Sequence, residues 1–278
     1  MFENDIREPV VAGSFYPDNS RTLSQMVIEF LNRVENVNLN NIIGLVSPHA
    51  GYIYSGQVAA YCFKQIEGKQ YDSIIIIAPS HSEYFDFNSV FEGKAYETHI
   101  GVVEIDSNRI YRLTSETTYK DYIRLSNAGH RREHSLEVQL PFLQTILKDI
   151  KIVPIVMGSQ NKKNIESLGN SIGKVFKGEN ILVVASTDLS HYHNYNTATT
   201  LDSKVIDFIN TFDASALTEA IVSEKLEMCG GGPVATTMLA SRLLGADKSK
   251  VLCYKNSGDV TGDKSAVVGY LSATFYKS

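Results

Sequence analysis

Three stretches of the chain carry the strongest structural signal: residues 42–49 (IIGLVSPH), 74–81 (IIIIAPSH) and 181–191 (ILVVASTDLSH). Each reads as a buried β-strand followed by a polar turn that ends in a histidine. Near-continuous apolar runs are typical of parallel strands covered on both faces. In an open α/β sheet the carboxyl ends of parallel strands share one edge, and ligands bind there. The three histidines are therefore expected to meet at one edge of a sheet.

The composition is that of an ordinary globular protein and argues against several classes. Hydrophobic residues make up 43% of the 278 residues and charged residues 21%, so the chain is not expected to be disordered. The net charge of −5 and the lack of a basic run argue against a nucleic-acid ligand. The longest apolar runs are strand-sized, far short of the roughly 20 residues that a membrane helix needs.

The N-terminus and the cysteines indicate the compartment. Residues 1–5 (MFEND) are polar and acidic, unlike a secretory signal. Three cysteines are too few and too far apart for a disulfide framework, which suits a reducing cytosol. We expect a soluble, cytoplasmic protein with no membrane or nucleic-acid partner.

Helical and strand patterns alternate along the chain, with no linker or repeat between them. Helices are expected from Ser55, from Ser135 with a break at Pro141, over 162–177, 205–209 and 214–221, and from Pro233. Further strands are expected at 150–156, 251–254 and 266–273, with an antiparallel edge piece within 88–105. The pattern predicts a single α/β domain over residues 1–278, a three-layer α/β/α fold with a mixed, mostly parallel central sheet.

Two of the strand-ending turns share a form in which a proline precedes the histidine. His49 follows Pro48 directly, and His81 follows Pro79 by two residues. Either histidine alone could merely be hydrogen-bonded at a strand end. Two in one crevice indicate a metal site, because neutral imidazole is the commonest metal ligand in proteins.

The third turn contains Asp188 and His191. An aspartate near a histidine can orient it and fix its tautomer. His191 is therefore a candidate third ligand, or a general acid or base beside the metal. Asp188 is its expected partner, although it could also cap the following turn. His193 is expected at the surface.

Cys229 lies in residues 228–233 (MCGGGP), directly before an expected helix start. A helix N-terminus lowers the pKa of a thiol, so Cys229 is expected to be more thiolate-like than most cysteines. The glycines permit the close backbone approach that a metal or an anion requires. Cys62 and Cys253 lie in helix and strand patterns and are expected to be core residues.

His130 and His134 are spaced i, i+4, a spacing at which two histidines on one helix can chelate a metal. Gly129 and the charged run after it indicate a loop that enters a helix at Ser135, which argues against a chelating pair. His134 and Glu137 are instead expected to face the crevice from the helix start.

Short motifs occur in order over nearly the whole chain: residues 12–17 (AGSFYP), 48–52 (PHAGY), 78–81 (APSH), 133–137 (EHSLE), 188–191 (DLSH), 229–230 (CG) and 262–263 (GD) before 267–270 (VVGY). In these motifs the chain resembles the Memo family. Prokaryotic members are often called the B component of the AmmeMemoRadiSam system, after their genomic company. The resemblance therefore implies an AMMECR-type protein or a radical SAM enzyme as a partner.

The resemblance also implies a fold similar to the class III extradiol dioxygenases of the LigB type, which hold non-haem Fe(II) with two histidines and a glutamate. By this analogy His49 and His81 would be metal ligands, and His191 would be the acid or base. Cys229 stands where the glutamate is expected. That departure argues against ring-cleaving dioxygenase activity, because a set of two histidines and one cysteine suits copper, zinc or iron.

Three functions remain open. The first is metal-dependent oxidation or reduction by bound iron or copper, or zinc, with Asp188, His191 and His134 as the catalytic groups beside the ligands. The second is a binding module whose crevice recognises a peptide or a small acid without turnover. The third is a partner subunit for a radical SAM enzyme, which the chain cannot itself be because it lacks a Cys-x3-Cys-x2-Cys motif.

Overall fold

The computed structural model describes residues 6–115 and 117–278. The strands are β1 (Ile6–Arg7), β2 (Ile42–Ser47), β3 (Ser73–Pro79), β4 (Asn88–Val90), β5 (Ala95–Thr98), β6 (Gly101–Ile105), β7 (Ile123–Leu125), β8 (Lys151–Met157), β9 (Ile181–Ser186), β10 (His191–His193), β11 (Lys248–Asn256) and β12 (Val267–Tyr276). The helices are α1 (Ser20–Asn32), α2 (Tyr52–Lys64), α3 (Ser107–Ser115), α4 (His134–Glu137), α5 (Leu140–Ile146), α6 (Lys162–Val175), α7 (Tyr195–Thr211), α8 (Ala214–Val222), α9 (Gly231–Leu244) and α10 (Ser257–Thr261).

The strands form one mixed sheet whose centre is parallel. Its main path runs β1-β5-β6-β8-β3-β9-β2-β12-β10. The neighbours from β6 through β8, β3 and β9 to β2 are all parallel, whereas β12 is antiparallel to β2, β10 and β11. The predicted mixed, mostly parallel sheet is confirmed. The apolar stretches 74–81, 181–191 and 42–49 contain the adjacent strands β3, β9 and β2.

Helices cover both faces of this sheet, as the apolar strands require. The side chains of β3 and β9 are buried along their whole length, which is typical of strands with a helical layer on each side. On one face α9 packs across β2, β3 and β9, with α6 and α8 against it. On the other face α2 packs against β2 and β12, with α1 and α5 beside it. The three-layer α/β/α prediction is confirmed. No helix in the described ranges is both long and apolar enough to cross a membrane.

Several element boundaries differ from the sequence expectation. Helix α2 begins at Tyr52 rather than Ser55, because Gly51 is its N-cap residue directly after the histidine turn. The helix expected from Ser135 is divided into α4 and α5, and Pro141 lies in the first turn of α5, where its missing N–H costs nothing. The region 88–105 contains β4 and the antiparallel β5–β6 hairpin. Helix α1, capped by Asn19, was not predicted.

A buried ion pair fastens the N-terminal segment to α4. The guanidinium of Arg7 bonds the carboxylate of Glu137, and both side chains are 0% exposed. The same carboxylate accepts hydrogen bonds from the backbone N–H groups of Val10 (2.9 Å) and Val11 (3.1 Å) and from the hydroxyl of Tyr16. Every acceptor site of this buried carboxylate is thus in use, which offsets the cost of taking the charge out of water.

Replacing Arg7 by Met should destabilise the protein strongly. The substitution leaves a buried carboxylate without its cation, a change that costs about 3–5 kcal/mol in the free energy of unfolding. Urea unfolding of Arg7→Met measures this loss, and Arg21→Met, at an exposed position on α1, is the matched control with an expected change within about 0.5 kcal/mol. The double variant Arg7→Met/Glu137→Gln should regain part of the stability. If Arg7→Met unfolded like the control, the pair would not hold the N-terminal segment.

Candidate metal centre

The turns after β2 and β3 and the loop before α9 bring three metal-binding side chains together. One ligand atom each from His49, His81 and Cys229 lies within 4.8 Å of the others. Strand β9 runs parallel between β2 and β3, so the turns after these strands open on the same edge. The sequence predicted all three residues as ligands, and the fold places them side by side.

The hydrogen bonds of His49 fix its tautomer. Its Nδ1 lies 2.9 Å from the hydroxyl of Ser186, which donates its own proton to the carbonyl of Ser135 (2.7 Å) and accepts from the amide of Gln139 (2.9 Å). A hydroxyl has one proton, so His49 must donate from Nδ1. Its Nε2 then carries the lone pair, which accepts a hydrogen bond from the thiol of Cys229 at an N···S distance of 3.1 Å. This nitrogen is ready to bind a metal ion.

A single carboxylate holds His81. Glu133 accepts the backbone N–H of His81 with Oε2 (2.7 Å) and the ring Nδ1–H with Oε1 (2.8 Å). The second bond leaves Nε2 of His81 as the free nitrogen, as in His49. Burial alone would lower the pKa of His81, but the hydrogen bond and charge of Glu133 outweigh it and raise that pKa. The side chain of His81 is 32% exposed and that of His49 only 3%, so the centre is open on the His81 side.

The pKa of Glu133 is shifted in the complementary direction. Burial would raise it, but the hydrogen bond and charge of His81, together with hydrogen bonds from Ser135, lower it to about 2. The carboxylate is therefore ionised beside His81. An ionised acceptor makes stronger hydrogen bonds than a neutral one.

Cys229 is held against the end of β9 by backbone contacts. Its N–H donates to the carbonyl of Asp188 (3.2 Å), and its sulfur accepts the N–H of Asp188 (3.1 Å). Gly230 allows this approach, because a Cβ there would overlap the carbonyl of Ser186 and the side chain of Thr187.

The expectation of a lowered thiol pKa at Cys229 is wrong for the protein without a metal. Burial raises the pKa of Cys229, and the neighbouring carboxylate of Asp188 adds to the effect. Cys229 lies two residues before α9, whose first residue is Gly231, and burial decides the direction in which its pKa moves. A bound cation would act in the opposite direction, since a coordinating thiol is deprotonated.

Asp188 is bound to the His49 turn rather than to His191. Its Oδ1 accepts the backbone N–H of His49 (2.8 Å), and the carboxylate also takes a hydrogen bond from the N–H of Ala50. Its Oδ2 lies 3.9 Å from Nε2 of His49. Burial raises the pKa of Asp188 to about 7, although these hydrogen bonds lower it. The predicted orienting contact with His191 is replaced by one that fixes the turn carrying the first ligand.

His191 lies beside the three donors and not among them. Its backbone N–H donates to Oε1 of Glu227 (2.9 Å), and the other oxygen of Glu227 bonds Nε2 of His193 (2.7 Å). Charge on His191 helps to lower the pKa of His49, whose largest cause is burial. In the described ranges, neither group of candidate metal ligands includes His191. His193 is half-buried rather than fully at the surface, and its ring bonds Glu227.

His134 faces the crevice as expected. Its ring centroid lies 4.7 Å from that of His81 and 5.5 Å from that of His49. Burial lowers its pKa. With His81 and Glu133 it forms a second group whose ligand atoms lie within 4.8 Å. The carboxylate in that group already accepts hydrogen bonds from His81 at both oxygens.

Two other candidates lie outside the centre. His130 is fully buried, accepts from the hydroxyl of Tyr96 at Nδ1 (2.7 Å) and donates from Nε2 to the carbonyl of Ser89 (2.9 Å). Both nitrogens are therefore used, and no chelating pair with His134 forms. Glu137 was expected to face the crevice, but it is turned toward Arg7 because a buried cation needs a carboxylate partner.

Three residues that hold the candidate ligands were not predicted from the sequence. Glu133, Ser186 and Gln139 make the hydrogen bonds that fix both imidazoles. Glu133 belongs to the motif of residues 133–137, in which only His134 and Glu137 were predicted to face the crevice. Its position next to His134 was the signal that could have identified it. Ser186 and Gln139 carry no such signal, because their contacts join positions far apart in the sequence.

A family model described as Memo-like protein matches residues 7–274. The chain belongs to the Memo family. Relatives named MEMO1 family protein include one from Thermotoga neapolitana, 40% identical over 96% of this chain and 99% of the relative. Another, from Methanobrevibacter smithii, is 38% identical over 97% and 99%. One from Nitrosopumilus maritimus is 35% identical over the same shares. The resemblance seen in the sequence motifs is thereby confirmed.

A solved structure adds the fold to this comparison. The Memo family chain is similar to an uncharacterized protein from Escherichia coli K12, with a TM-score of 0.56 and 13% identity over 84% of this chain and 99% of that one. At this identity the likeness shows a shared fold and carries no information on chemistry.

The burial of His130 predicts a pH dependence of stability. Burial lowers its pKa to about 4 from 6.5. Between these values the unfolded chain binds a proton that the folded protein does not, so the free energy of unfolding falls as the pH falls, by up to about 1.4 kcal/mol per pH unit. We expect His130→Gln to remove this contribution, as measured by chemical unfolding across the window.

His99→Gln replaces an exposed histidine and is the matched control for that experiment. An unchanged pH slope in His130→Gln, relative to wild type and this control, would mean that His130 is not the group responsible.

Proposed function

We propose that the protein binds one redox-active metal ion through Nε2 of His49, Nε2 of His81 and the sulfur of Cys229, and that it is an enzyme of oxidation or reduction. The observation that carries the proposal is the convergence of these three donor atoms within 4.8 Å. A bound iron or copper ion would supply electron transfer to or from dioxygen, its reduced forms or an organic substrate.

The three donor atoms suit a metal ion, both in their chemistry and in the tautomers of the two histidines. Hydrogen bonds from Nδ1 leave the lone pair of each histidine on Nε2, in the arrangement that metal-binding histidines usually show. One soft thiolate with two imidazoles suits copper, iron or zinc. Nε2 of His49 lies 3.1 Å from the sulfur of Cys229, and loss of the thiol proton would leave both atoms as donors to one ion.

Two features favour a reactive centre over a structural zinc site. Structural zinc is closed by four protein ligands, whereas catalytic sites keep a position open. Here three donors come together, and the most exposed, His81, borders the opening. Three donors beside an opening therefore favour a reactive metal ion over a structural one.

The remaining polar residues are proposed to handle protons. Asp188 has a pKa of about 7, so its buried carboxylate can take up or release a proton at neutral pH. Its Oδ2 lies on the ligand side of the turn, 3.9 Å from Nε2 of His49. His134 and His191, both with pKa values lowered mainly by burial, are neutral bases at the rim.

Metal content tests the proposal directly. Protein purified under anaerobic conditions and analysed by elemental mass spectrometry should carry about one iron or copper ion per chain, as expected for a single mononuclear site. The variant His49→Ala/Cys229→Ser should lose nearly all of it, because a single remaining histidine cannot retain the ion. The same measurement on the variant His99→Ala/Cys253→Ser is the control, because this variant loses one histidine and one cysteine outside the centre.

Each outcome decides something. Full metal content in His49→Ala/Cys229→Ser would overturn the ligand assignment. Wild-type protein that stays empty after reconstitution with iron, copper or zinc would overturn the metal proposal altogether. That result would favour a non-catalytic module that binds a peptide or a small acid in the same crevice.

A further inference from the structure

We infer that Glu133 is the positioning residue of this centre: its carboxylate fixes the ring orientation and the tautomer of His81, and thereby the reactivity of that ligand. The inference rests on the proposed metal site and concerns a residue that does not itself touch the metal. It rests on two hydrogen bonds that the buried carboxylate of Glu133 accepts from the partly exposed His81.

Both carboxylate oxygens of Glu133 accept hydrogen bonds from the same residue, His81. Oε2 holds the backbone N–H of His81 (2.7 Å), and Oε1 holds the ring Nδ1–H (2.8 Å). The backbone bond fixes the turn, and the ring bond fixes the imidazole about its side-chain torsions. The side chain of His81 is 32% exposed and packs against the rings of His49 and His134. These ring contacts do not choose between the two ring nitrogens, so the bond from Nδ1–H to Glu133 sets the tautomer.

Glu133 is itself held in place by burial and by hydrogen bonds. Its side chain is 1% exposed, and Oε1 also accepts the N–H (3.0 Å) and the hydroxyl (2.6 Å) of Ser135 as the N-cap of α4. The guanidinium of Arg7 bonds its backbone carbonyl. Arg7, which anchors the N-terminal segment through its ion pair, therefore also holds the backbone of Glu133.

The same contacts argue against Glu133 as a metal ligand. Three hydrogen bonds arrive at Oε1, from the His81 ring and from the N–H and hydroxyl of Ser135, and one arrives at Oε2, from the N–H of His81. Binding a metal would disturb bonds that hold the His81 turn and the start of α4 inside a buried site, where lost hydrogen bonds are costly. A carboxylate bonded to the far nitrogen of a metal-binding histidine instead raises the basicity of that ligand.

The tautomer of His81 tests the inference without any metal. In the metal-free wild-type protein, the 15N shifts of the His81 ring, recorded above the pH at which the histidines titrate, should show hydrogen on Nδ1. In Glu133→Ala the ring should shift toward the Nε2–H form that an unconstrained neutral histidine side chain prefers. Retention of the Nδ1–H form in a folded Glu133→Ala protein would overturn the inference.

Metal affinity gives the functional readout. Co2+ added to the metal-free protein reports binding through the absorption band of a cobalt–thiolate bond. Glu133→Ala should raise the dissociation constant by about 10–100-fold, the usual cost of losing a partner of this kind. Glu133→Gln keeps one acceptor oxygen and should lose less. Glu104→Gln, an exposed carboxylate 71% accessible at the far edge of the sheet, should bind like wild type.

A double-mutant cycle separates positioning from a general effect on the fold. If Glu133 acts through His81, then His81→Ala/Glu133→Ala should bind Co2+ no more weakly than His81→Ala alone. Additive losses would show that Glu133 acts on the fold and would overturn the inference. If Glu133→Ala fails to fold, the same cycle with Glu133→Gln decides. Wild-type protein that binds no Co2+ would instead count against the metal site, and the tautomer measurement would still judge the role of Glu133.

Discussion

The parallel pairing of β9 between β2 and β3 is the constraint on which the rest of the structure depends. Register aligns Ser47 of β2 with Ser186 of β9, and Ile77 of β3 with Ala185 of β9. Three strands that end level must send their turns to one edge of the sheet, whatever those turns contain. Burial of the apolar strands thus supplies the free energy that brings distant polar residues together. The histidines need no attraction for one another to meet.

The polar residues at that edge then have to be satisfied, because burying an unpaired polar group is expensive. Ser186 illustrates how this is done: one hydroxyl ends the central strand, donates to the carbonyl of Ser135, and accepts from Gln139 and His49. Each of these bonds joins a different segment of the chain. The tautomer of a candidate ligand is therefore set by the same contacts that close the sheet edge against α4.

The strands follow local sequence patterns, whereas the polar contacts form only on folding, and this difference explains how much could be predicted from the sequence. Apolar runs and the turns after them are local patterns, and they predicted the central strands, the fold class and the meeting of His49 and His81. Cys229 was predicted separately, from the helix start that follows it and from the resemblance to the Memo family. Hydrogen-bond partners are not local, so the true contact of Asp188 with the His49 turn was assigned to the nearer His191. The pKa of Cys229 was misjudged for a similar reason, since the helix start is visible in the sequence while burial and the Asp188 charge arise only on folding.

The centre that results is rigid on one side and open on the other. His49 and the carboxylate of Asp188 are almost fully buried, whereas His81 and His134 have side chains that are 32% and 22% exposed. A ligand that approaches from solvent must therefore arrive along the His81 side. The buried Glu133 lies beneath both of the exposed rings, 2.8 Å from Nδ1 of His81 and 3.5 Å from Nδ1 of His134. The accessible half of the centre thus depends on one carboxylate for its order, and the inaccessible half depends on the sheet itself.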